Sequence, residues 1–528
     1  MFKILISDKL EKEGLDILTA EKNFQVDCKF GIPAAELKSI IKDYDALIVR
    51  SGTQVTAEIL ESADKLKVIG RAGVGLDNVD LPAATKKGVV AMNTPAGNTT
   101  STAEHTMSMI MALSRNIPQA VASLRGGKWE RAKFTGIELY GKTLAIIGLG
   151  RIGTTVAKMA QAFGMKTIGY DPFLSAEIAA KNGIVLTELD EIYKTADYIT
   201  VHIPKTDETT GMISDKQIAL MKKTVRLINC ARGGIIDEVA LIKALQDKRI
   251  AGAAMDVYDV EPPDFNSPLF KLDNCVTTPH LGASTSEAQV NVATEIAHAV
   301  KDALLGRGIR NAANFPSLSA EAYKAIEPYL DLAERMGKFA GQLVQGRIKD
   351  VKITYSGAVA KEKTAAVTMA LAKGLLTPML GDGVNTINAM NMMKDRGVPI
   401  QEIISTQEGE YVNAIAVDIA TDKDPFALLG TLSSNKQPRI VKINNVYVEA
   451  VPAGHMLFIN NNDKPGIVAA IGTLLADARI NIAGITLGRE DGQGVAVSVV
   501  NVDSEIPETV IEHLRKTKNI LFVKTIKV

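Results

Sequence analysis

The sequence has few cysteines, and they follow no ligand-like spacing. Cys28, Cys230 and Cys275 are the three, and no C-x-x-C pair occurs. A disulfide framework or a zinc site is therefore not indicated, and we predict no metal. No run of about 18 apolar residues occurs, and Met1 leads directly into a strand-like segment without a basic and apolar leader. These absences predict a cytoplasmic chain with no membrane partner.

An excess of charge of either sign is also missing. The 60 basic and 60 acidic residues cancel, so no global field would attract nucleic acid or an anionic membrane, and we predict neither as a partner. Any anionic substrate must then be held by a few local arginines. A chain of 528 residues exceeds the roughly 250–300 residues of one core, which predicts several domains.

The region from Leu144 to Lys158 contains three glycines at a characteristic spacing. A β-like run, Thr143 to Ile147, is followed by Gly148, Gly150 and Gly153 at G-x-G-x-x-G spacing and then by a helical pattern. This order is typical of a dinucleotide-binding turn, in which the glycines allow a tight turn, close approach of the pyrophosphate and close helix packing. Flavin and methyl-donor folds carry similar turns, so the glycines alone leave these alternatives open.

An acidic residue supports the dinucleotide interpretation. Asp171 ends the next β-like run, close to the spacing of about 20 residues at which a carboxylate binds the adenosine ribose hydroxyls. A carboxylate there favours NAD and repels the 2′-phosphate of NADP. The alternative is that Asp171 and Pro172 only close a strand.

The order of apolar patterns predicts the architecture. β/α alternation before and after residue 98 predicts two parallel sheets, the second a Rossmann-type doubly wound sheet. Residues from about 315 to 452 mix helices with alternating β patterns such as 439–451, which predicts an α+β domain. The terminal residues, 456–527, follow the β-α-β-β-α-β order of ferredoxin-like folds.

Three chemically active residues end strands of the second sheet. Arg232, Glu261 and His280 each follow a β-like run, and ligands collect at the carboxyl ends of parallel strands. Oxidation of a secondary alcohol needs a base for the hydroxyl proton, a carboxylate to orient and charge-stabilise an imidazole, and a guanidinium to bind a substrate carboxylate. The trio predicts a dehydrogenase. His202 also ends a strand, where contact with the dinucleotide and a structural role are both open.

Four motifs at these positions together resemble the D-2-hydroxyacid dehydrogenase family: Gly-Leu-Gly-Arg-Ile-Gly with Asp171, Asn-Cys-Ala-Arg-Gly-Gly, Asp-Val-Tyr-Asp-Val-Glu-Pro-Pro and Pro-His-Leu-Gly-Ala-Ser-Thr. Three further segments resemble the branch that oxidises 3-phospho-D-glycerate to 3-phosphohydroxypyruvate with NAD, the first step of L-serine biosynthesis: Val-Arg-Ser-Gly-Thr, Gly-Arg-Ala-Gly-Val-Gly and Asn-Thr-Pro-Ala-Gly-Asn. The resemblance covers essentially the whole chain, because this branch has a long form with an intervening and a C-terminal ACT domain.

The resemblance implies domain bounds and residue roles. It implies a flavodoxin-like substrate domain over 1–97 and 280–314, a Rossmann domain over 98–279, an intervening regulatory domain over 315–452 and an ACT domain over 453–528. Arg232 would bind and polarise the substrate, and Glu261 and His280 would form the acid/base relay. The implied substrate contacts are Arg50, Ser51, Arg71 and Asn98. The implied cofactor contacts are Gly148, Gly150, Arg151, Ile152, Gly153, Asp171, Cys230, Ala231, Arg232, Asp256, His280, Leu281, Gly282 and Ala283.

The resemblance also implies regulation and assembly. Asn461, Asp463 and Asn481 match positions at which similar ACT domains hold L-serine, although Asn461 departs from the histidine or tyrosine often found there. A purely oligomerising ACT domain is the alternative. Similar enzymes are homotetramers in which a partner subunit contributes near Trp129 and Lys133.

Two functional alternatives remain at this stage. The substrate could be an unphosphorylated 2-hydroxy acid such as glycerate, although Arg50 and Arg71 favour a phosphate. The chain could instead be an NAD-sensing corepressor on a dehydrogenase fold, which its lack of basic patches disfavours.

Overall fold

The computed structural model describes residues 1–406, 410–489 and 494–528, except for the side chains of Ala320 and Asp382. These residues form four β-sheets. The chain divides into two compact units, one of Met1–Lys9, Leu15–Asn93 and Ile296–Val528, the other of Leu10–Gly14 and Thr94–Glu295. In the described part of the chain, no helix is both long and apolar enough to cross a membrane.

The N-terminal sheet is parallel and has five strands. In chain order its elements are β1 (Phe2–Ile6), α1 (Lys12–Thr19), β2 (Phe24–Cys28), α2 (Ala34–Ile40), β3 (Ala46–Val49), α3 (Ala57–Glu61), β4 (Val68–Arg71), α4 (Leu81–Lys87) and β5 (Val90–Met92). The strand order β2-β1-β3-β4-β5 is that of flavodoxin-like folds. β3 is buried along its whole length, as expected of a strand covered on both faces.

The second unit contains a parallel sheet of seven strands. Its elements are α5 (Thr99–Ser114), α6 (Ile117–Arg125), β6 (Thr143–Ile147), α7 (Arg151–Ala162), β7 (Lys166–Tyr170), α8 (Ala176–Lys181), β8 (Val185–Leu186), α9 (Leu189–Thr195), β9 (Tyr198–Val201), α10 (Asp215–Leu220), β10 (Arg226–Asn229), α11 (Glu238–Gln246), β11 (Gly252–Met255) and β12 (Cys275–Thr277). The order β12-β11-β10-β9-β6-β7-β8 reverses between β6 and β9, so the glycine turn after β6 lies at the topological switch point.

Alternate residues of these strands enter two different cores. Along β6, Ala145 and Ile147 pack into one apolar cluster, while Leu144 and Ile146 pack into another on the opposite face of the sheet. Helices therefore cover both faces, which confirms the predicted doubly wound fold. α12 (Ser286–Leu304) follows this sheet and crosses the sequence boundary between the two units.

The intervening residues form a mixed sheet covered by two long helices. The elements are α13 (Ala320–Leu343), β13 (Ile348–Ser356), α14 (Thr364–Leu380), α15 (Ala389–Asp395), β14 (Ile400–Ser405), β15 (Ala414–Thr421), β16 (Phe426–Leu432), β17 (Pro438–Ile443) and β18 (Val446–Ala450). The strand order is β14-β13-β15-β16-β17-β18. The segment 439–451, predicted as one alternating pattern, is a hairpin, because Asn444 has φ +49° and reverses the chain.

The C-terminal residues form an antiparallel sheet of order β20-β21-β19-β22 with helices between the strands. The elements are β19 (His455–Asn462), α16 (Ile467–Asp477), β20 (Ile482–Arg489), β21 (Val495–Val502), α17 (Glu508–Lys516) and β22 (Ile520–Lys527). The predicted ferredoxin-like order is confirmed. Short 3-10 turns occur at Ile41–Asp43, Arg131–Phe134, Pro268–Lys271, Val359–Lys361 and Gly381–Gly383.

Candidate active site

Each glycine of the turn after β6 has a distinct structural role. Gly148 has φ +93°, and a Cβ on it would lie 2.6 Å from the carbonyl oxygen of His202. A Cβ on Gly153 would lie 2.0 Å from the carbonyl oxygen of Gly148, so only glycine lets α7 pack against the turn. Gly150 faces open space and caps the helix, whose first amides and positive dipole end suit a phosphate group. These features fit the pyrophosphate of a dinucleotide.

Asp171 both closes its strand and supports the turn. Its Oδ2 accepts a hydrogen bond of 2.9 Å from the Leu149 amide, and its Oδ1 accepts one of 2.9 Å from the Phe173 amide. The carboxylate is only partly buried, so it also keeps acceptor capacity for ribose hydroxyls. The two interpretations of Asp171 are therefore compatible. Arg151 is exposed and Ile152 is partly buried at the start of α7.

His202 supports the glycine turn from the next strand. Burial lowers the pKa of its imidazole to about 4, so the ring is neutral near pH 7. Its Nε2 lies 3.0 Å from Thr200 Oγ1, and its carbonyl faces Gly148. These contacts support the structural interpretation of His202.

His280 and Glu261 form a close polar pair at the ends of these strands. His280 Nδ1 lies 2.6 Å from Glu261 Oε2, and the other oxygen, Oε1, accepts a hydrogen bond of 3.1 Å from the Tyr258 amide. The carboxylate is thus fixed at both oxygens and binds the Nδ1 proton, which leaves Nε2 as the basic nitrogen of the imidazole. The His280 side chain is 48% exposed, so that nitrogen is accessible to a substrate.

Arg232 follows β10 on a loop that Asn229 organises. Asn229 Nδ2 donates to the Arg232 carbonyl at 2.8 Å, and its Oδ1 accepts from the Ala231 amide at 3.0 Å. A Cβ on Gly233 would lie 1.7 Å from the Tyr258 carbonyl oxygen, so this glycine lets the loop press against the segment that leads to Glu261.

The charge of Arg232 acts on Glu261. Burial alone would raise the pKa of the Glu261 carboxyl, but the hydrogen bond with His280 and the charges of His280 and Arg232 outweigh it and hold this pKa below its usual value. The carboxylate therefore stays charged, as an imidazole that must gain a proton requires. The structure thus joins His280 and Glu261 directly, and the Arg232 charge acts on Glu261.

Asp256 lies beneath the loop that carries His280 and is fully buried. Its carboxylate accepts hydrogen bonds from Thr278 Oγ1 (2.7 Å), Leu281 N (2.7 Å) and Gly282 N (2.9 Å), and it contacts His105 Nε2 at 3.2 Å. Burial opposes its charge, but these contacts hold the pKa of Asp256 below its usual value. In this structure Asp256 shapes the loop, and direct contact with a cofactor stays a prediction.

Cys230 lies beside this network. His105, Cys230 and Asp256 bring three atoms of metal-ligand type within 4.8 Å of one another. Burial raises the pKa of the Cys230 thiol to about 12, and the carboxylate already accepts three hydrogen bonds, so a hydrogen-bonded network accounts for the group. Ala283 continues the loop, and its carbonyl accepts from Gln289 Nε2 at 2.7 Å.

In the other unit, the predicted arginines end adjacent parallel strands. Val49, the last residue of β3, pairs with Arg71, the last residue of β4. Arg50 and Ser51 follow Val49 directly in the chain. Asp8, which sequence reasoning missed, holds this segment, because its Oδ2 accepts from the Arg50 amide at 2.6 Å and from the Thr53 amide at 3.1 Å. Its position directly after β1 was the signal that could have identified it.

Asn98 is the N-cap residue of α5 in the second unit, but its side chain makes no capping hydrogen bond. Its Oδ1 is buried and has no hydrogen-bond partner in the described residues. A buried unpaired carbonyl costs about 1–3 kcal/mol, which a ligand donor or an ordered water would offset.

The three predicted effector residues differ in environment. Asn461 is 1% exposed; its Nδ2 donates to the Asn462 carbonyl, while its Oδ1 has no partner in the described residues. Asp463 Oδ2 lies 3.3 Å from Arg489 Nε, and Asn481 Nδ2 donates to Asp503 Oδ2 at 2.7 Å. Asn461 is thus the member with an unused buried acceptor.

Three domain families match the chain. The NAD binding domain of D-isomer specific 2-hydroxyacid dehydrogenases matches residues 107–282, the D-3-phosphoglycerate dehydrogenase intervening domain matches residues 325–444, and the ACT domain matches residues 455–519.

Similar proteins extend over the whole chain. D-3-phosphoglycerate dehydrogenase of Methanocaldococcus jannaschii is 45% identical over 527 residues, covering 100% of both chains, and that of Bacillus subtilis is 41% identical, covering 100% of this chain and 99% of the relative. A crystal structure of D-lactate dehydrogenase from Aquifex aeolicus with NAD and lactic acid matches 60% of this chain and 100% of its own, with 30% identity and a TM-score of 0.54. These matches show that the chain belongs to the D-3-phosphoglycerate dehydrogenases of the D-2-hydroxyacid dehydrogenase family.

Proposed function

We propose that this chain oxidises 3-phospho-D-glycerate to 3-phosphohydroxypyruvate with NAD, the first step of L-serine biosynthesis. The observation that carries the proposal is the 2.6 Å contact between His280 Nδ1 and Glu261 Oε2 at the ligand edge of an NAD-binding sheet. NAD, when bound, would accept the hydride from the substrate.

The residues of the chain divide the remaining work. His280 Nε2 takes the proton of the substrate hydroxyl, and Glu261 stabilises the imidazolium that results. Arg232 binds the substrate carboxylate through its planar fork. We assign the phosphate to Arg50 and Arg71, because a neutral substrate terminus would leave two strong anion donors unused. The predicted domain bounds belong to the same proposal.

Comparison of phosphorylated and unphosphorylated substrates tests the proposal. We expect NADH to form from 3-phospho-D-glycerate with a kcat/KM at least about 10²-fold above that for D-glycerate, because charge-assisted hydrogen bonds are worth about 1.5–3 kcal/mol each. Equal use of both acids would contradict the assignment of the phosphate. The absence of turnover with any 2-hydroxy acid would favour a binding protein instead.

Replacing Asp171 should change cofactor preference. Asp171→Ala removes the charge that repels a 2′-phosphate, and we expect the ratio of kcat/KM for NAD over NADP to fall about tenfold or more. Asp171→Asn is the matched variant, since it removes the charge but keeps the side chain's size. An unaltered ratio in both variants would leave cofactor choice to other residues.

L-serine should bind the ACT domain through Asn461. A ligand at about 100 times its Kd stabilises the folded state by about 2.7 kcal/mol, so we expect L-serine to raise the melting temperature and to lower the rate of NADH formation. Asn461→Ala should remove both effects, whereas Asn462→Ala, the next residue along the strand, should keep them. A melting temperature insensitive to L-serine would indicate an ACT domain that only oligomerises.

We also propose a cytoplasmic homotetramer. Trp129 is 83% exposed in the single chain, which suits a residue that a partner subunit covers, and Lys133 lies in the same segment. The few cysteines, all unpaired, suit a reducing compartment.

A further inference from the structure

One polar face of α5 holds the loop that carries His280. Ser101, Thr102 and His105 lie at helical spacing and so share a face of the helix. Thr102 Oγ1 donates to the Gly282 carbonyl at 3.2 Å, and the hydroxyl oxygens of Ser101 and Thr285 are 2.7 Å apart. This face therefore contacts both ends of the segment that follows His280.

His105 contacts the buried part of this loop. Its Nε2 lies 3.2 Å from Asp256 Oδ1 and 3.3 Å from Thr278 Oγ1, and its side chain is 17% exposed. Asp256 is fully buried, and a buried carboxylate is stable only when its oxygens are paired. An imidazole N–H aimed at Oδ1 supplies one of the contacts that keep this charge in place.

Asp256 in turn fixes the backbone at His280. Its carboxylate accepts from the Leu281 and Gly282 amides, and its carbonyl accepts from the His280 amide at 2.9 Å. His280 has φ +55°, a left-handed conformation that costs a residue other than glycine about 1–2 kcal/mol. The surrounding hydrogen bonds must offset this cost for the imidazole to keep its direction.

We propose that His105 is a positioning residue. Its imidazole anchors the Asp256 carboxylate and Thr278, and through them it holds the 278–282 loop so that His280 meets Glu261. This inference rests on the proposed function of His280 as the base. His105 touches no reacting atom in this account, so its removal should lower the rate of proton transfer and leave substrate binding nearly intact.

Kinetics of two substitutions test the proposal. His105→Leu keeps an apolar volume but has no donor, and we expect kcat to fall about tenfold or more, as small displacements of a catalytic group do, while the KM for 3-phospho-D-glycerate stays close to that of the unsubstituted chain. The melting temperature should fall in the same variant, because the buried Asp256 carboxylate loses a partner. His105→Gln, which can place an amide donor near the Nε2 position, should restore most of the loss. If His105→Leu does not fold, Thr278→Val removes a contact of the same network and takes its place.

A double substitution separates positioning from a general structural role. If His105 acts through His280, adding His105→Leu to His280→Asn should lower kcat no further, because the two residues act as one unit. The proposal would be overturned if the double variant lost kcat by the product of the two single losses. It would also be overturned if His105→Leu left kcat unaltered, with or without a raised KM.

Proton NMR gives a readout that does not depend on the substrate. The short hydrogen bond to Glu261 should give a downfield Nδ1 proton resonance, assigned by its loss in His280→Asn. We expect this resonance to shift or broaden in His105→Leu and to persist in His105→Gln; an unchanged resonance in His105→Leu overturns the proposal. Failure to oxidise any hydroxy acid would defeat the proposed function alone, since this measurement would still report on the loop.

Discussion

Replacing His280 with asparagine should lower kcat for 3-phospho-D-glycerate by at least about 10²-fold, the lower range for a positioned acid/base. Asparagine is similar in size and can still bond to Glu261, but it cannot take the proton of the substrate hydroxyl. NAD affinity should change little, because the glycine turn and Asp171 are untouched. Steady-state kinetics and NAD binding by fluorescence measure the two effects separately.

His298→Asn is the matched control for this substitution. His298 is exposed on α12, and we expect the same change there to leave kcat unaltered. Both variants should melt close to the unsubstituted chain, since His280 is half-exposed. A His280→Asn variant with near-normal turnover would mean that another group is the base.

Replacing Arg232 should have an effect of similar size on substrate use. Arg232→Lys keeps the charge but loses the planar fork, and a lost bidentate contact of about 1.5–3 kcal/mol corresponds to a fall in kcat/KM of about 10- to 10²-fold. Arg232→Gln loses the charge as well and should fall further. Arg226→Lys, at the other end of β10, is the control and should retain activity.

The pH dependence distinguishes charge from geometry at this position. The positive charge of Arg232 contributes to the lowered pKa of Glu261, and the mechanism needs that carboxylate ionised. The base must also be unprotonated, so activity should fall at low pH, and loss of the positive charge beside Glu261 should move this acid limb to higher pH in Arg232→Gln but not in Arg232→Lys. An acid limb at the same pH in both variants would show that Arg232 does not act on Glu261.

The local pattern of apolar residues was sufficient to predict the strands and the glycine turn on which the candidate site is built. The strands of parallel sheets are short, apolar and buried, so the residues that end them lie at one edge, and Arg232, Glu261 and His280 could be assigned to it. The glycine turn was predictable for the same reason: positive φ at Gly148 and backbone contact at Gly153 exclude other residues.

The supporting contacts could not be predicted because they join distant parts of the chain. His105 meets Asp256 across 151 positions, and Asp8 meets Arg50 across 42. No periodicity links such pairs, and each residue by itself is ordinary in its helix or loop. The hairpin at Asn444 was missed for a different reason, since its two strands continue one alternating pattern through a tight turn.

Single-turnover oxidation of 3-phospho-D-glycerate deuterated at C2 tests the central claim most directly. We predict that the chain transfers the deuterium to NAD and that this step is slower than with the unlabelled substrate. His280→Asn should slow the transfer by a further factor of about 10² or more. Deuterium that does not appear in the reduced cofactor, or an unslowed transfer in His280→Asn, would contradict the assignment of hydride transfer to the site formed by Arg232, Glu261 and His280.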